Sequence, residues 1–485
     1  MKIISDTEII TKIKLENPWW GDGASVSNFY RDMHPRAYLD GIFQLIKEQR
    51  VNRALVLMGP RRVGKTVLLH HAVQKLIGEG IDPRKICYVS IDAPIYTGCS
   101  LEHLIELYRK VFAGQSLDGT YIYFDEIQYL KNWEIHLKKL VDDYKNVKFV
   151  VSGSAAAALR LKSIESGAGR FTNFYLPPLT FYEYLQLLGK QSLVTSEPSE
   201  SPLGRRPFST SSDIVELNKE FVNYLNYGGY PEALFSEAIK GDQQRYIKSD
   251  IIDKVLLKDI PGLYGIHDIQ ELNRLFTMLA LNSGFELSLD KLSVGSGVAK
   301  NTIKRYLEYL EAAFLIAILH RIDQSGKQFK RANFFKVYLT NPSMRCALFG
   351  PITADDESMG HMTETAIISQ WLHSQGFENL YYARWRGGDG EVDLVFMHEQ
   401  KPGWCGEIKW SNRFFEKTFE LNNLTTFAKK HSLTEAFVTT VDKRGERVAD
   451  GIRLEFIEAS IYSHDVGRNT INRRTLFRKA ITPNV

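Results

Sequence analysis

An apolar run followed directly by a glycine-rich, basic turn constrains this chain more than any other stretch of its sequence. The run is Ala54–Met58, and the turn GPRRVGKT follows it at residues 59–66, before a stretch with helix-spaced apolar residues. The glycines let the backbone curl so that its N–H groups face phosphate oxygens, and the start of the helix adds its positive end. This G-x-x-x-x-G-K-[ST] pattern, set between a strand and a helix, predicts an α/β fold with a phosphate-binding loop.

Such a loop is expected to bind ATP together with Mg²⁺. Lys65 should reach the β- and γ-phosphates, and the Thr66 hydroxyl should ligate the metal ion. The predicted nucleotide contacts from the loop are Gly59, Pro60, Arg61, Arg62, Val63, Gly64, Lys65 and Thr66.

A second apolar strand, Tyr121–Phe124, ends in the carboxylates Asp125 and Glu126. Asp125 is expected to hold Mg²⁺ from the strand end, and Glu126 lies where a hydrolytic water needs a base. A small-molecule kinase also carries a phosphate-binding loop but does not need the second carboxylate. The pair therefore favours ATP hydrolysis over phosphoryl transfer to a metabolite.

Three further residues are candidates for the same site. Ser152 and Ser154 follow the next apolar run, where a hydroxyl could contact the γ-phosphate or the attacking water; a helix N-cap is an equally good interpretation. Arg170 could act as an arginine finger on the ATP of a neighbouring subunit. The alternative for Arg170 is a solvated surface side chain.

Residues 53–186 alternate apolar strands with helical patterns, which predicts a parallel sheet covered by helices on both faces. The predicted strands are Ala54–Met58, Ile86–Ile91, Tyr121–Phe124 and Lys148–Ser152, and the predicted helices are Thr66–Ile77, Leu101–Phe112 and Trp133–Tyr144.

A second group of charged residues lies far along the chain. Asp393 belongs to one predicted strand and Glu407 and Lys409 to the next, with a turn expected around residues 401–403. Alternate residues of a strand share a face, so Glu407 and Lys409 should point the same way. Two carboxylates there would form an oxygen site for Mg²⁺, and the lysine could position a water. The alternative is an exposed hairpin with simple charge pairing.

Residues 285–340 are predicted to form a helix, a turn, a second helix and two strands, an order that suits a winged helix. Such a segment could read DNA or could serve only as a packing module. The polar residues at the start of its second helix are Lys300, Asn301, Thr302, Lys304 and Arg305, and those on its predicted wing are Lys327, Lys330 and Arg331.

Several motifs occur in an order that resembles one protein group. They are GPRRVGKT, YFDEIQ, VSGSAA, the Gly-Arg at 169–170, PLTFYEY at 178–184 and GGYPEA at 228–233. This order is similar to that of prokaryotic AAA-type P-loop ATPases with a C-terminal domain of unknown function. The resemblance implies an AAA-like core, a helical lid, a winged-helix segment and a restriction-endonuclease-like α/β domain. It also implies that Asp393, Glu407 and Lys409 are a nuclease signature and that Glu364 is a further metal ligand.

Together these patterns predict six segments. They are an ATPase domain with its lead-in at 1–190, a Ser/Pro-rich linker at 191–213, a helical lid at 214–284, a winged-helix-like segment at 285–344, a restriction-endonuclease-like domain at 345–460 and a basic tail at 461–485.

Composition narrows the class of protein but not its partner. The net charge of +4 is small for 485 residues and decides nothing about nucleic acid, which binds to local patches. The four cysteines are scattered, which argues against a zinc site or a disulfide framework and favours a reducing compartment. No apolar run is long enough to span a bilayer. We therefore expect a cytoplasmic protein with no membrane contact.

Two functional hypotheses follow. The first is an ATP-hydrolysing protein whose C-terminal half is a metal-dependent nuclease, with nucleic acid as partner and DNA favoured over RNA. The second is an ATP-dependent molecular switch whose nuclease-like domain only binds DNA or a protein. Assembly into homo-oligomers is compatible with both.

Overall fold

The structure is a computed structural model that describes residues 4–114, 116–154, 169–195, 208–236, 239, 241–266, 268–327, 333–372, 374, 376–385 and 390–479. The chain divides into two compact units. The first consists mainly of Met1–Pro177 and the second mainly of Pro178–Pro261 and Gly265–Arg473.

A five-stranded parallel sheet forms the centre of the first unit, with the strand order β2-β3-β4-β1-β5. Its strands are β1 Ala54–Met58, β2 Ile86–Ser90, β3 Thr120–Asp125, β4 Val147–Gly153 and β5 Phe171–Tyr175. The four strands predicted from the sequence are all present. The edge strand β5 was not predicted, because only Phe174 is buried in it and Thr172 and Asn173 interrupt the apolar pattern.

The helices of the first unit are α1 Asp6–Glu16, α2 Asn28–Arg31, α3 Leu39–Lys47, α4 Lys65–Gly78, α5 Leu101–Val111 and α6 Trp133–Asp143. The three helices predicted between the strands correspond to α4, α5 and α6, each within one residue at either end. Helix α1 begins with a capping box, in which Ser5 and Glu8 satisfy each other's backbone N–H groups.

A nine-stranded mixed sheet, ordered β15-β16-β14-β13-β12-β11-β9-β10-β8, is the centre of the second unit, and β6 and β7 form a separate pair. The strands are β6 Val194–Thr195, β7 Thr210–Ser211, β8 Glu286–Ser288, β9 Ile316–Ile322, β10 Phe334–Leu339, β11 Leu380–Trp385, β12 Gly390–His398, β13 Lys401–Glu407, β14 Glu435–Thr440, β15 Gly445–Ala449 and β16 Ile452–Glu458.

The remaining helices are mostly short. They are α7 Phe181–Leu187, α8 Ile214–Tyr227, α9 Pro231–Phe235, α10 Gln243–Arg245, the π-helical stretches Tyr246–Asp253 and Val255–Asp259, α11 Ile260–Tyr264, α12 Ile269–Leu281, α13 Leu289–Ser296, α14 Lys300–Ala312, α15 Ser343–Phe349, α16 Met359–Trp371, α17 Arg413–Glu416, α18 Asn422–Lys430 and α19 Ala459–Lys479.

The segment 285–340 contains the predicted order of helix, turn, helix and two strands, here α13, α14, β9 and β10. Strand β8 precedes them and pairs antiparallel with β10, which also pairs antiparallel with β9. Strand β9 then pairs in parallel with β11, with His320 opposite Tyr381. The predicted segment boundary at 344/345 lies in the helix Ser343–Phe349, and the strands before it (β8 to β10) and after it (β11 to β16) belong to one sheet.

The hairpin of β12 and β13 was predicted correctly, but its turn was placed wrongly. The turn is at Glu399 and Gln400, which have φ values of 49° and 66°. Pro402 and Gly403, the residues that suggested a turn, instead lie in β13 beside a register shift opposite Phe396 and Met397. A β-bulge accommodates proline and glycine inside a strand, and this explains the misplacement.

The last segment, predicted as a basic tail, is the helix α19 as far as Lys479. Its first turns are buried, including Ile461 and Tyr462. Among the described helices, none combines the length and the apolar character needed to cross a lipid bilayer.

Candidate active sites

The phosphate-binding loop lies at the carboxyl end of β1, which is flanked in the first sheet by β4 and the edge strand β5. Gly59 has no space for a side chain, because a Cβ atom there would lie 2.2 Å from the carbonyl oxygen of Leu176. Gly64 has φ +88°, which favours glycine, and α4 begins at the next residue. The two glycines of the motif are thus required by a close backbone approach and by a left-handed turn.

Lys65 folds back over its own loop. The side chain is buried, and its Nζ donates hydrogen bonds to the carbonyl oxygens of Gly59 and Pro60, at 3.1 and 2.8 Å. These acceptors are neutral. Anionic phosphate oxygens form stronger hydrogen bonds with an ammonium group, so a triphosphate would draw Lys65 away from the two carbonyls.

Asp125 joins three neighbouring elements at the end of β3. Its Oδ2 accepts hydrogen bonds from the Thr66 hydroxyl at 2.6 Å and from the Tyr88 hydroxyl at 2.7 Å, and its Oδ1 accepts one from the Ser152 hydroxyl. A hydroxyl and a carboxylate in contact are the oxygen donors that Mg²⁺ prefers, so Thr66 and Asp125 fit the predicted metal ion. Sequence reasoning missed Tyr88, although it lies two residues before Ser90, the partner of Asp125 in the sheet register.

Glu126 is held in a left-handed conformation with φ 54°. Its N–H donates to Asp125 Oδ1 and Ser152 Oγ, at 3.1 and 3.2 Å, and its carboxylate accepts a hydrogen bond from Gln128. Burial raises the pKa of Glu126 above its ordinary value, although Lys65 opposes the shift. A carboxylate with a raised pKa is a stronger base, as activation of a water requires.

Ser154 is fully buried and shares Gln128 as a hydrogen-bond partner with Glu126. Its N–H donates to Gln128 Oε1 at 3.2 Å, whereas its Oγ has no hydrogen-bond partner among the described residues. A buried hydroxyl without a partner is costly, and a phosphate oxygen or a water would satisfy it. Arg170 is largely exposed, and its Nε forms an ion pair with Asp142 Oδ1 at 3.1 Å on α6.

The second unit contains a separate cluster of carboxylates and lysines. The hairpin β12–β13 brings Asp393 beside Glu407, and Lys409 Nζ lies 2.8 Å from Asp393 Oδ2 and 2.6 Å from Glu407 Oε2. The Ile408 N–H also donates to Asp393 Oδ2, at 3.0 Å. The structure thus brings together the three residues that the sequence grouped here.

Glu364, from α16, reaches the same cluster through a residue that sequence reasoning missed. Lys336 Nζ, from β10, lies 2.9 Å from Glu364 Oε1, 2.9 Å from Glu391 Oε1 and 3.8 Å from Asp393 Oδ1. The Tyr338 hydroxyl donates to the same Glu364 oxygen. A lysine inside the apolar strand FFKVYL was the available signal for Lys336, since a buried lysine needs an acidic partner.

Burial and mutual charge shift the pKa values of this cluster in opposite directions. Burial would raise the pKa of Asp393, but Lys409 and Lys336 hold it well below its ordinary value. Burial and the neighbouring Asp393 raise the pKa of Glu407. Burial would lower the pKa of Lys336, but Glu364 raises it, so the lysine stays charged. Titratable groups pushed apart in this way are typical of functional sites.

A pocket of about 470 Å³ opens above the cluster. Its charged lining consists of five carboxylates and three basic side chains, namely Glu286, Glu357, Glu364, Glu391, Asp393, Lys336, Arg384 and Lys409. Phe285 and His361 also line it, with their ring centroids 3.8 Å apart. The excess of carboxylates suits a cation, and pockets of this size hold small ligands or single residues of a polymer.

Asp393 and Glu407 have the carboxylate chemistry that a hard divalent cation requires. Within the described ranges, however, no group of three or more His, Cys, Asp or Glu residues is arranged to hold a metal ion. Glu364, predicted as a third ligand, faces Lys336 instead.

The polar residues predicted for DNA reading lie on α14. Lys300, Asn301, Lys304 and Arg305 are exposed, and Thr302 is half-buried. Lys300 forms an ion pair with Asp290. On the predicted wing, Lys327 is described, and Lys330 and Arg331 lie outside the described residues.

Comparisons with known proteins agree with the site in the first unit. Residues 51–185 match the family model described as an AAA domain, and residues 218–355 match that of a domain of unknown function. The second match ends before Glu364, Asp393 and Glu407.

Two relatives are similar over most of the chain. The uncharacterized protein MJ1544 of Methanocaldococcus jannaschii is 24% identical over 374 residues, covering 75% of this chain and 76% of its own. An uncharacterized protein of Haemophilus influenzae is 26% identical over 307 residues, covering 62% and 70%.

Among solved structures, the Aeropyrum pernix ORC1 protein in complex with DNA is 14% identical and covers 67% of this chain and 94% of its own, with a TM-score of 0.29. The S. cerevisiae Hsp104-ADP complex is 15% identical and covers 56% of this chain and 37% of its own, with a TM-score of 0.28. The family match and the geometry of the loop agree, and residues 51–185 are similar to an AAA-type P-loop domain.

Proposed function

We propose that the chain binds ATP with Mg²⁺ and hydrolyses it at the loop of the first unit. The observation that carries this proposal is the convergence of Thr66, Asp125 and Ser152 beside Lys65. Lys65 and the loop N–H groups would hold the phosphates, and bound Mg²⁺ would neutralise charge that develops on them.

Glu126 is proposed as the residue that activates the attacking water, and Ser154 as a contact to the γ-phosphate or that water. The raised pKa of Glu126 and the unsatisfied Ser154 hydroxyl support these roles. Arg170 is proposed to act only in an assembly of several copies, because its side chain is exposed and borders α6.

We further propose that the second unit contains a restriction-endonuclease-like site that cuts nucleic acid, with DNA as the favoured substrate. The joining of Asp393, Glu407 and Lys409 supports this function. A divalent cation would supply Lewis-acid chemistry there. Lys409 would position the water, and Asp393 would orient Lys409 and hold the backbone through the Ile408 N–H.

Two surfaces of the second unit support a nucleic-acid partner. The basic start of α14 is exposed, and the reading helix of a winged helix would contact phosphates and base edges with such residues. The aromatic pair of Phe285 and His361 lines the pocket, where a base could stack.

One observation favours the second candidate function, a switch whose second unit only binds DNA or a protein. Lys336 and Lys409 already form ion pairs with carboxylates of the cluster, so a divalent cation would have to compete with them. Such a switch would change partner affinity with the nucleotide state and would cut nothing.

The test is to incubate the full chain with supercoiled and single-stranded DNA, with Mg²⁺ or Mn²⁺, while ATP turnover is measured in parallel. Cleavage that is lost in Asp393→Asn while ATP turnover continues supports the nuclease. ATP turnover without cleavage, together with salt-sensitive DNA binding, supports the switch. The absence of ATP turnover in the wild type would refute the first proposal.

A further inference from the structure

We propose that Gln128 is a positioning residue of the first site. Its amide holds the carboxylate of Glu126 where that group can accept a proton from the attacking water, and the backbone of Ser154 fixes the amide. The proposal rests on the ATP hydrolysis proposed above, in which Glu126 is the base. It adds a residue that acts through Glu126 rather than on the nucleotide.

Gln128 lies in a single turn of 3₁₀ helix, Ile127–Tyr129, which directly follows the end of β3 and Glu126. Glu126 enters this turn in a left-handed conformation, and its carbonyl oxygen accepts a hydrogen bond from the Tyr129 N–H at 3.2 Å. Ile127 is fully buried and anchors the turn. The backbone of Gln128 is therefore held in place two residues from Glu126.

The two ends of the Gln128 amide have partners of opposite kinds. The Ser154 N–H donates to Oε1 at 3.2 Å, and Nε2 donates to Glu126 Oε2. A backbone N–H can only donate, so the atom that faces it must be the amide oxygen, and the NH₂ group must then face the carboxylate. Rotation of the amide by half a turn would lose both hydrogen bonds and would set an oxygen against the carboxylate. Ser154 thus fixes which end of the amide meets Glu126.

Ser154 also connects this arrangement to the phosphate-binding loop. It follows β4, which lies between β3 and β1 in the sheet. Gly153, the residue before it, is paired in the register with Met58, the last residue of β1, and the loop follows β1 directly. Ser154 and the loop therefore leave neighbouring parallel strands at the same edge of the sheet. Gln128 spans the ends of β3 and β4 and ties Glu126 to a residue beside the loop.

The hydrogen bond from Gln128 engages only one oxygen of the Glu126 carboxylate. Because each carboxylate oxygen can accept, Oε1 can take the proton of a water while Oε2 is held. A general base must lie within hydrogen-bond reach of the proton that it accepts, and a glutamate side chain has several rotamers. The bond to Oε2 restricts these rotamers. The amide is neutral and exchanges no proton with the water, so Gln128 contributes through geometry.

The experiment compares ATP turnover with ATP affinity in the full chain with Mg²⁺. Gln128→Met keeps the length of the side chain and removes both hydrogen bonds, whereas Gln128→Glu keeps an acceptor for the Ser154 N–H and loses the donor to Glu126. Both variants should lower kcat by about 10- to 100-fold, as expected for a misplaced catalytic group, and should keep the affinity for ATP within about threefold of wild type. Gln44→Met, a change of an exposed glutamine on α3, is the matched control and should alter neither quantity.

A double variant separates positioning from a purely structural role. If Gln128 acts through Glu126, Glu126→Gln combined with Gln128→Met should turn over ATP within about twofold of Glu126→Gln alone, because a base that is absent cannot be misplaced. A residue that supported the site independently of Glu126 would lower the residual turnover by the same factor as in the wild-type background.

Wild-type turnover in either Gln128 variant would overturn the proposal, as would a rise in turnover, which would mean that the amide restrains Glu126. A loss of ATP affinity as large as the loss of turnover, or a further fall in the double variant, would overturn it as well. The Gln128→Glu result remains decisive if Gln128→Met does not fold. Turnover that falls in Glu126→Gln but in neither Gln128 variant refutes only the role of Gln128, whereas a wild type without ATP turnover refutes the ATPase function and this role together.

Discussion

The two units each contain a buried lysine beside carboxylates, but the two sites hold their lysines in different ways. In the first unit Lys65 donates to neutral carbonyls of its own loop. In the second unit Lys336 and Lys409 form ion pairs with carboxylates from other elements. The hydrogen bonds that Lys65 donates to its own loop can be exchanged for stronger ones to an anionic ligand, whereas the ion pairs of Lys336 and Lys409 tie these lysines into the structure. The first site thus resembles a binding cradle and the second a fixed charge network.

The largest expected effect is a loss of ATP turnover at the first site, and it tests whether that site is catalytic. Glu126→Gln should lower ATP turnover by about 10²- to 10⁴-fold, because the amide cannot accept a proton from water. ATP binding should persist, since Lys65 and the loop are unchanged. Turnover and nucleotide affinity are measured separately, with the exposed Glu79→Gln as control. Turnover close to the wild-type rate would exclude Glu126 as the base.

Asp393→Asn tests whether the second site works independently of the first. Removing this carboxylate should lower metal-dependent DNA cleavage by at least about 100-fold, because a metal ligand and the partner of Lys409 are lost together. ATP turnover should stay within about twofold of wild type, because the substitution leaves the residues of the first site unchanged. The exposed Glu416→Gln serves as control. An equal fall in both activities would show that the two sites are coupled.

The pH dependence of stability should distinguish the units through His70. Burial lowers the pKa of His70 to about 4, between the rings of Tyr30 and Tyr88. In the unfolded chain this imidazole takes up a proton near pH 6.5. The contribution of the buried neutral ring to the free energy of unfolding is therefore fully present above that pH. It falls by about 3 kcal/mol as the pH is lowered towards 4.

Urea unfolding of the first unit at several pH values tests this expectation. His70→Gln should flatten the dependence between pH 6.5 and 4. An unchanged pH slope in His70→Gln would show that another group is responsible.

Two glycine substitutions in the first unit test whether the phosphate-binding loop needs its close backbone approach. Gly59→Ala places a methyl group against the Leu176 carbonyl oxygen and should destabilise the first unit by about 1–3 kcal/mol. Gly78→Ala, at the end of α4, meets nothing within 4 Å and should be neutral or stabilising by up to about 1 kcal/mol. Denaturant midpoints measure both, and equal effects would refute the steric argument.

The smallest predicted effect concerns Tyr88. Tyr88→Phe removes one of the hydrogen bonds to Asp125 and should lower ATP turnover by roughly two- to tenfold, equivalent to about 0.5–1.5 kcal/mol. Thr66→Ala, which removes both a hydrogen bond and a proposed metal ligand, should be clearly worse. A Tyr88→Phe enzyme as impaired as Thr66→Ala would mean that Tyr88 takes a direct part in the chemistry.

The sequence by itself determined the first unit and its site to a large extent. The strands β1 to β4 and the helices α4 to α6 follow from apolar runs and helical spacing, because a buried parallel strand is apolar throughout. Lys65, Thr66 and Asp125 were identifiable because a phosphate-binding loop is built from neighbouring residues whose spacing is fixed by the turn. Tyr88 was not, since a hydrogen bond across two strands depends on the register of the sheet.

At the second site the sequence grouped Asp393, Glu407 and Lys409, but only the tertiary structure placed Lys336 and Glu391 beside them. The cluster combines residues of three separate elements, namely Lys336 of β10, Glu364 of α16, and Glu391 and Asp393 of β12. No local sequence pattern predicts that the lysine will lie between these three carboxylates. The turn of the β12–β13 hairpin was misplaced for a related reason, because a bulge let Pro402 and Gly403 remain in the strand. Local motifs are encoded by spacing along the chain, whereas a charge network is encoded by which distant strands and helices pack together.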